Sequence, residues 1–172
     1  MYAMLIKEPS VRHLLRMTPA IQAFGPPREI TESLHRVIGI IRADSSTDEE
    51  GLLTGAIKLL CHISALLQDA SLGNAAAEAC IERLFIDQQR EKVIEAIHRL
   101  LECSAAEPDK TATRLFLSRK LEQVCCAINH ADLHAEIVAW IEKLKVINPE
   151  LNCALGRALA IAKIGASRSV TA

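Results

Sequence analysis

Apolar residues recur at three- and four-residue intervals along nearly the whole chain, and two-residue alternation is never sustained. The first pattern places apolar side chains on one face of an α-helix, whereas the second is typical of a β-strand. Aromatic residues make up only 3% of a sequence that is 50% hydrophobic, so Leu, Ile, Val and Ala supply most of the apolar surface. This mixture favours packed helices over sheets, and the chain is predicted to be all-α.

Capping residues and helix breakers divide the pattern into seven helices preceded by a broken N-terminal one. Residues 1–27 are predicted to form an irregular helical segment, with Thr18 as a cap before Pro19. From Glu29 one helical face carries an apolar set, namely Ile30, Leu34, Val37, Ile38 and Ile41. Gly165 is the expected end of the last helix, which leaves 166–172 as a frayed tail. All 172 residues fit a single domain.

The most apolar long helix is predicted over about residues 48 to 69. In the acidic stretch before it, Ser46 with Glu49, or Thr47 with Glu50, would form a capping box. One seam of this helix consists of Leu53, Ile57, Leu60 and Leu67, and a second consists of Leu52, Leu59 and Leu66. A helix with two apolar seams is covered on more than one side, so it is predicted to be the central helix.

Three predicted caps, Asn74, Thr111 and Asn148, are separated by 37 residues each time. Helix pairs that recur at about forty residues are typical of a HEAT- or armadillo-like array. The side-chain patterns of the units do not superimpose well, however. The alternative is that the same seven to eight helices form a compact irregular bundle.

The stretch VCCAINHADLHAEIVAW, residues 124–140, concentrates cysteine, histidine and acidic residues. On a helix, Cys125 points to the core, while Cys126 lies on nearly the opposite side and could share a face with His130. A structural zinc site needs four converging ligands, and the chain has no CxxC or HExxH pattern to supply them. We therefore interpret the stretch as helical core, and expect neither a metal nor a cofactor.

Twenty basic and twenty-one acidic residues leave a formal net charge of −1, which gives no electrostatic reason to expect a nucleic-acid or membrane partner. A basic cluster of Lys110, Arg114, Arg119 and Lys120 is interpreted as a solvated helix face. The six cysteines lack the setting of a disulfide scaffold. The apolar start is too short for a signal peptide. We expect a soluble protein of the cytoplasm or nucleus with reduced thiols.

No catalytic motif stands out, so the chain is predicted to be a non-enzymatic adaptor or scaffold module that binds another polypeptide. Such a module could be a domain cut from a larger protein. A self-associating structural protein (homodimer) is the first alternative, and a nucleic-acid-binding helical module is the second. The C-terminal helix has a main face that docks on the domain: Leu151, Leu155, Ala158, Leu159 and Ala162. Its second apolar face is the predicted partner site: Cys153, Ala160, Ile161 and Ile164. The N-terminal segment could instead fold back over that face.

Overall fold

In the computed structural model the described residues are helical along most of their length, and no strand is present among them. They comprise residues 2–46, 48, 50–87, 95–96, 98–100, 103, 106, 109–128, 130–147, 149 and 152–168. The α-helices are α1 (Ala3–Lys7), α2 (Val11–Arg16), α3 (Thr18–Phe24), α4 (Thr31–Ala43), α5 (Leu52–Leu67), α6 (Ala70–Asp87), α7 (Lys110–Ala127), α8 (Ala131–Ile147) and α9 (Asn152–Ser167). A 3₁₀ turn, Arg28–Ile30, precedes α4, and residues 95–96, 98–100 and 103 are also helical. The all-α prediction is confirmed.

The N-terminal segment consists of three helices of only five to seven residues. Ser10 caps α2 by accepting a hydrogen bond from the amide of His13 at 3.2 Å. Thr18 is the first residue of α3 and not its cap, because its hydroxyl donates backwards to the Leu15 carbonyl at 2.8 Å. The Tyr2 hydroxyl donates to the Gly25 carbonyl at 3.0 Å, which ties the start of the segment to its end.

An acidic side chain caps α5, but it is not one of the residues predicted for this role. The Asp48 carboxylate accepts hydrogen bonds from the amides of Leu53 at 3.1 Å and Thr54 at 2.7 Å. Gly51 has a φ of 69°, a conformation that glycine adopts readily, and the helix begins directly after it. Ser46 forms hydrogen bonds with Asp44 instead. Each predicted capping box also contains one residue, Glu49 or Thr47, that lies outside the described residues.

One seam of α5 is buried completely and the other only in part. All four residues of the first seam lie in the core, with Leu60 fully buried. In the second seam Leu59 is buried, Leu52 is half-buried and Leu66 is 51% exposed. Helices α6 and α2 are the main neighbours of α5, and their packing leaves Leu66 in contact with solvent. The prediction of two covered seams is therefore wrong at Leu66.

The caps that suggested a helical repeat do not occupy the predicted positions. Asn74 lies inside α6, whose first turn is capped by Asp69 through a 3.0 Å hydrogen bond from the amide of Leu72. Asp109 caps α7 and accepts from the amide of Thr111 at 2.9 Å, and Asn148 lies outside the described residues. Neighbouring helices do pack as pairs, α5 with α6 and α8 with α9. The structure thus supports packed helix pairs without assigning a repeat type.

Buried side chains from Leu5 to Ala162 belong to a single connected core. Helix α6 packs against α4, α5 and α7, and α9 packs against α7 and α8. The predicted inward faces of α4 and α9 and the inward position of Cys125 are confirmed: Ile30, Leu34, Val37, Ile38, Ile41, Cys125, Leu155, Ala158, Leu159 and Ala162 are buried. Buried residues follow the same helical spacing along α7 and α8: Leu117, Leu121, Val124, Ile128, Leu133, Ile137, Ile141 and Leu144. None of the helices in the described ranges combines the length and hydropathy that a bilayer-spanning segment needs.

Two leucines of α5 allow a matched test of its packing. Leu60→Ala removes a fully buried side chain and should lower the free energy of unfolding by about 2–5 kcal/mol. Leu66→Ala removes the same atoms at a site that is 51% exposed, and should cost about 1 kcal/mol or less. Urea unfolding followed by circular dichroism measures both values. Equal transition midpoints would contradict the placement of Leu60 in the core.

Candidate functional site

The cysteine pair of residues 125 and 126 diverges as the sequence predicts. Cys125 is buried, and its thiol lies 3.6 Å from the carbonyl oxygen of Ala158 on α9, to which it donates. Cys126 is exposed. Burial raises the pKa of the Cys125 thiol from its ordinary value of 9.0 to about 12, so the thiol is protonated at neutral pH. Cys125 acts as a small core residue between α7 and α9.

His134 connects α8 to the end of α7. Its ring is buried, with Nε2 2.9 Å from the carbonyl oxygen of Cys125 and Nδ1 3.0 Å from the carbonyl oxygen of His130. Gly165 of α9 lies directly against the ring, and a Cβ atom at that position would overlap it. The helix continues past Gly165 to Ser167, so the prediction of a glycine stop is wrong. The absence of a side chain at Gly165 instead makes room for the imidazole.

Within the described residues, no group of three or more His, Cys, Asp or Glu side chains is arranged to hold a metal ion. In the 124–140 stretch, both ring nitrogens of His134 lie within 3.0 Å of backbone carbonyl oxygens. Cys126 and His130 are exposed, whereas Cys125 faces the core. What this stretch does in the structure is to hold α7, α8 and α9 together.

Three other cysteines, Cys61, Cys80 and Cys103, are buried. A hydrogen bond with Cys103, together with burial, raises the pKa of Cys61 well above its ordinary value. Burial raises the pKa of Cys80 to about 12, although the nearby Arg99 guanidinium opposes the shift. A nucleophilic cysteine reacts as its thiolate, and both environments disfavour that form at neutral pH.

Sequence reasoning missed several charged side chains that the fold buries. Arg83 is 5% exposed and donates to the carbonyl oxygens of Asp44 at 3.0 Å and Ser46 at 2.7 Å, which holds the turn between α4 and α5. Arg99 is 4% exposed and forms an ion pair with Glu95. Arg83 lies three residues after buried Cys80, in the apolar register of α6. This spacing is the feature of the sequence that indicates an inward-pointing side chain.

Lys120 corrects the interpretation of the basic cluster as a solvated face. Its side chain is 7% exposed and forms an ion pair with Glu78 of α6. The ammonium nitrogen also lies 5.7 Å from the centre of the Phe116 ring, within the range of a cation–π interaction. Arg119, the preceding residue, is exposed. Only part of the basic cluster is therefore available to solvent.

Lys120 and Glu78 belong to a groove of about 490 Å³ between α6 and α7. Its apolar wall comes from α7, where Leu115 is 55% exposed. The groove is lined by Asn74, Glu78, Ala112, Leu115, Phe116, Arg119, Lys120 and Gln123. It therefore combines apolar, amide and charged side chains in one concave surface.

The predicted partner site lies on the outer side of α9. Its residues form the outer strip: Cys153, Ala160, Ile161 and Ile164. Ile164 is 58% exposed, Cys153 and Ala160 are exposed, and Ile161 is half-buried against the core. The strip is flanked by two ion pairs, Arg157 with Glu122 at 3.3 Å and Lys163 with Glu142 at 3.1 Å.

The N-terminal helices pack mainly through α2, against α4 and α5, whereas α9 packs against α7 and α8. The strip thus retains solvent-exposed apolar residues, and the alternative in which the N-terminal segment covers it is not observed in the described chain. Leu151, predicted on the docking face of α9, lies outside the described residues.

Gly165 and Gly156 of α9 provide a matched pair of substitutions. Gly165→Ala places a methyl group in the space of the His134 ring and should destabilise the fold by about 1–3 kcal/mol. Gly156 has no neighbouring atom within 4 Å of a Cβ position, so Gly156→Ala should stabilise the helix by about 0.5–1 kcal/mol. Thermal unfolding should therefore shift in opposite directions. A shift in the same direction would show that the ring does not lie against Gly165.

The buried thiol of Cys125 predicts a loss of stability in alkali. The unfolded thiol ionises above pH 9.0, whereas the folded one stays protonated to about pH 12, so rising pH favours the unfolded state in this window. Cys125→Ala should cost on the order of 1 kcal/mol at pH 7 through lost packing, but its stability should decline less steeply than that of the wild type above pH 9.0. Urea unfolding at several pH values measures the slope. Cys126→Ala, at the exposed neighbouring position, should retain the wild-type slope, and an unchanged slope in Cys125→Ala would indicate a solvated thiol.

The surfaces of the described residues thus include the outer strip of α9 and the groove between α6 and α7. The first was predicted from the sequence, and the second was not. Comparisons of the chain with protein-family models, with curated proteins and with solved structures found no match.

Proposed function

We propose that this protein is a non-enzymatic interaction module that binds a segment of another polypeptide through the outer strip of α9. Helices packed as pairs, whether in a HEAT- or armadillo-like array or in an irregular bundle, present faces and grooves of this kind. The observation that carries the proposal is the exposure of Ile164, 58% of which faces solvent on a helix whose other face is firmly docked.

The docked face and the outer strip of α9 have different energetic roles. Leu155, Ala158 and Ala162 are fully buried, so α9 does not need its outer side to remain attached to α7 and α8. An apolar side chain left in water costs free energy that a covering partner would recover, at about 25 cal/mol per Å². Exposed apolar residues bordered by charged ones are typical of an interaction surface.

An intracellular setting is part of the proposal. All six cysteines lie in the described residues and none forms a disulfide. Four of them are buried as thiols in the helical core. A reducing compartment, the cytoplasm or the nucleus, would keep them in that form.

Ile164→Asp tests the proposed site. The variant should melt within about 2 °C of the wild type, because the side chain is already largely exposed. It should no longer recover the partner from a lysate of the source cells, since a carboxylate would be buried in the interface. Leu66→Asp, at a leucine of similar exposure on α5, is the matched control and should recover the partner as the wild type does.

Two results would contradict this assignment. If Ile164→Asp unfolds the domain while Leu66→Asp does not, the strip is part of the core. If both variants recover the same partner at the wild-type level, the interaction uses another surface.

Self-association is the second candidate, and the N-terminal helices favour it. Phe24, at the end of α3, is 82% exposed, and Met4 and Ile6 of α1 are 59% and 48% exposed. An exposed aromatic ring is a frequent anchor of protein interfaces. Sedimentation velocity distinguishes the candidates: a dimer that Phe24→Ser dissociates and Ile164→Asp does not would favour self-association through the N-terminal helices.

A further inference from the structure

The side chain of Lys120 lines the groove between α6 and α7, although it is only 7% exposed. Lys120 has three N–H donors. Within the described residues, Glu78 is the acceptor next to its Nζ, and the centre of the Phe116 ring lies 5.7 Å away. An ammonium group that is removed from water gains from additional acceptors. A ligand in the groove could therefore supply oxygen atoms to Lys120.

The charge around the groove favours an anionic ligand. Lys120 and Glu78 offset one another, and the exposed guanidinium of Arg119 adds a positive charge at the rim. Helix α7 carries a formal charge of +3 and α6 one of −2, so the two helices that form the groove together carry +1, whereas the whole chain carries −1. The groove therefore has a small positive charge on a slightly acidic protein. An Arg guanidinium is well suited to a carboxylate, which it can bind through two hydrogen bonds.

The apolar wall of the groove also restricts which ligand can fill it. Leu115 is 55% exposed, and it lines the groove together with Ala112 and the buried Phe116 of the same helix. Asn74 and Gln123 contribute amide groups that can bond to a peptide backbone. A small inorganic anion would leave this wall uncovered, whereas a peptide that carries an apolar side chain beside an acidic one would satisfy both parts of the groove.

We propose that the groove between α6 and α7 binds an acidic peptide segment of a partner protein. An Asp or Glu carboxylate of that segment accepts hydrogen bonds from Arg119 and Lys120, and a neighbouring apolar side chain packs on Leu115 and Phe116. The groove is distinct from the outer strip of α9, so this binding does not depend on the function proposed for that strip.

A random peptide library provides the test. Peptides of about twelve residues, long enough for three helical turns, are displayed on phage and selected against the full chain. The enriched sequences should carry Asp or Glu near Leu, Ile or Phe. A labelled synthetic peptide of the enriched sequence is then titrated with the protein by fluorescence polarisation, at low and at high salt.

Charge and apolar variants of the chain localise the binding. Arg119→Glu and Leu115→Ser should each lower the affinity for the synthetic peptide by about tenfold. This is the effect expected from the loss of one charge-assisted hydrogen bond or of one apolar contact. Arg36→Glu and Leu66→Ser alter exposed residues of α4 and α5 and are the matched controls, with wild-type affinity expected. A peptide in which Lys replaces the acidic residue should regain affinity for Arg119→Glu.

Several outcomes would overturn the proposal. They are the absence of any enriched peptide, the enrichment of basic or uncharged sequences, and peptides whose affinity Arg119→Glu and Leu115→Ser leave unchanged. If Ile164→Asp lowers the affinity for a peptide and Arg119→Glu does not, that peptide binds the outer strip. A labelled single-stranded RNA that binds the wild type and loses affinity in Arg119→Glu, where no acidic peptide binds, would assign the groove to nucleic acid.

Discussion

The short side chains of α6 determine how the helices on either side of it meet. A Cβ atom on Gly73 would lie 3.1 Å from the carbonyl oxygen of Cys103 and 3.3 Å from the hydroxyl of Ser64 on α5. A Cβ atom at this position would therefore require the neighbouring atoms to move by a few tenths of an ångström. Buried small residues follow along the same helix: Ala76, Ala77, Ala79 and Cys80. Because these side chains are small, the backbone of α6 can approach α4, α5 and α7, and the helix lies between the earlier and the later part of the chain.

The same helix carries the charged groups that fix its neighbours. Glu82 accepts two hydrogen bonds from Arg42 of α4, at 2.8 and 2.5 Å. Arg83 holds the turn before α5, and Glu78 pairs with Lys120 of α7. A partly buried ion pair gains little net stability after its desolvation cost, but the loss of one partner leaves the other charge unmatched. The arrangement therefore determines where the Lys120 ammonium lies, and with it the charge at the base of the groove.

The sequence predicted apolar faces far better than it predicted caps and buried charges. A face is a local property: Leu117, Leu121 and Val124 share one side of α7 whatever surrounds it, because the helical period alone aligns them. A cap depends on the conformation of the residues around it, and Asp69 replaced Asn74 because α6 begins earlier than the pattern suggested. Buried charges depend on partners distant in the chain, as Lys120 does on Glu78, and no pattern within one helix identifies such a partner.

The outer strip depends on one helix, whereas the groove depends on the contact between two. This difference explains why only the strip could be predicted from the sequence. The outer strip follows from the period of α9 alone, so its residues were identified from the sequence. The groove exists only where α6 and α7 meet, and the inward position of Lys120 was needed to recognise it. Their chemistry differs as well. The acidic and basic groups that flank the strip are already paired with one another, which favours an apolar partner surface. In the groove the guanidinium of Arg119 lies beside an exposed leucine, which favours a segment that carries both an acidic and an apolar side chain.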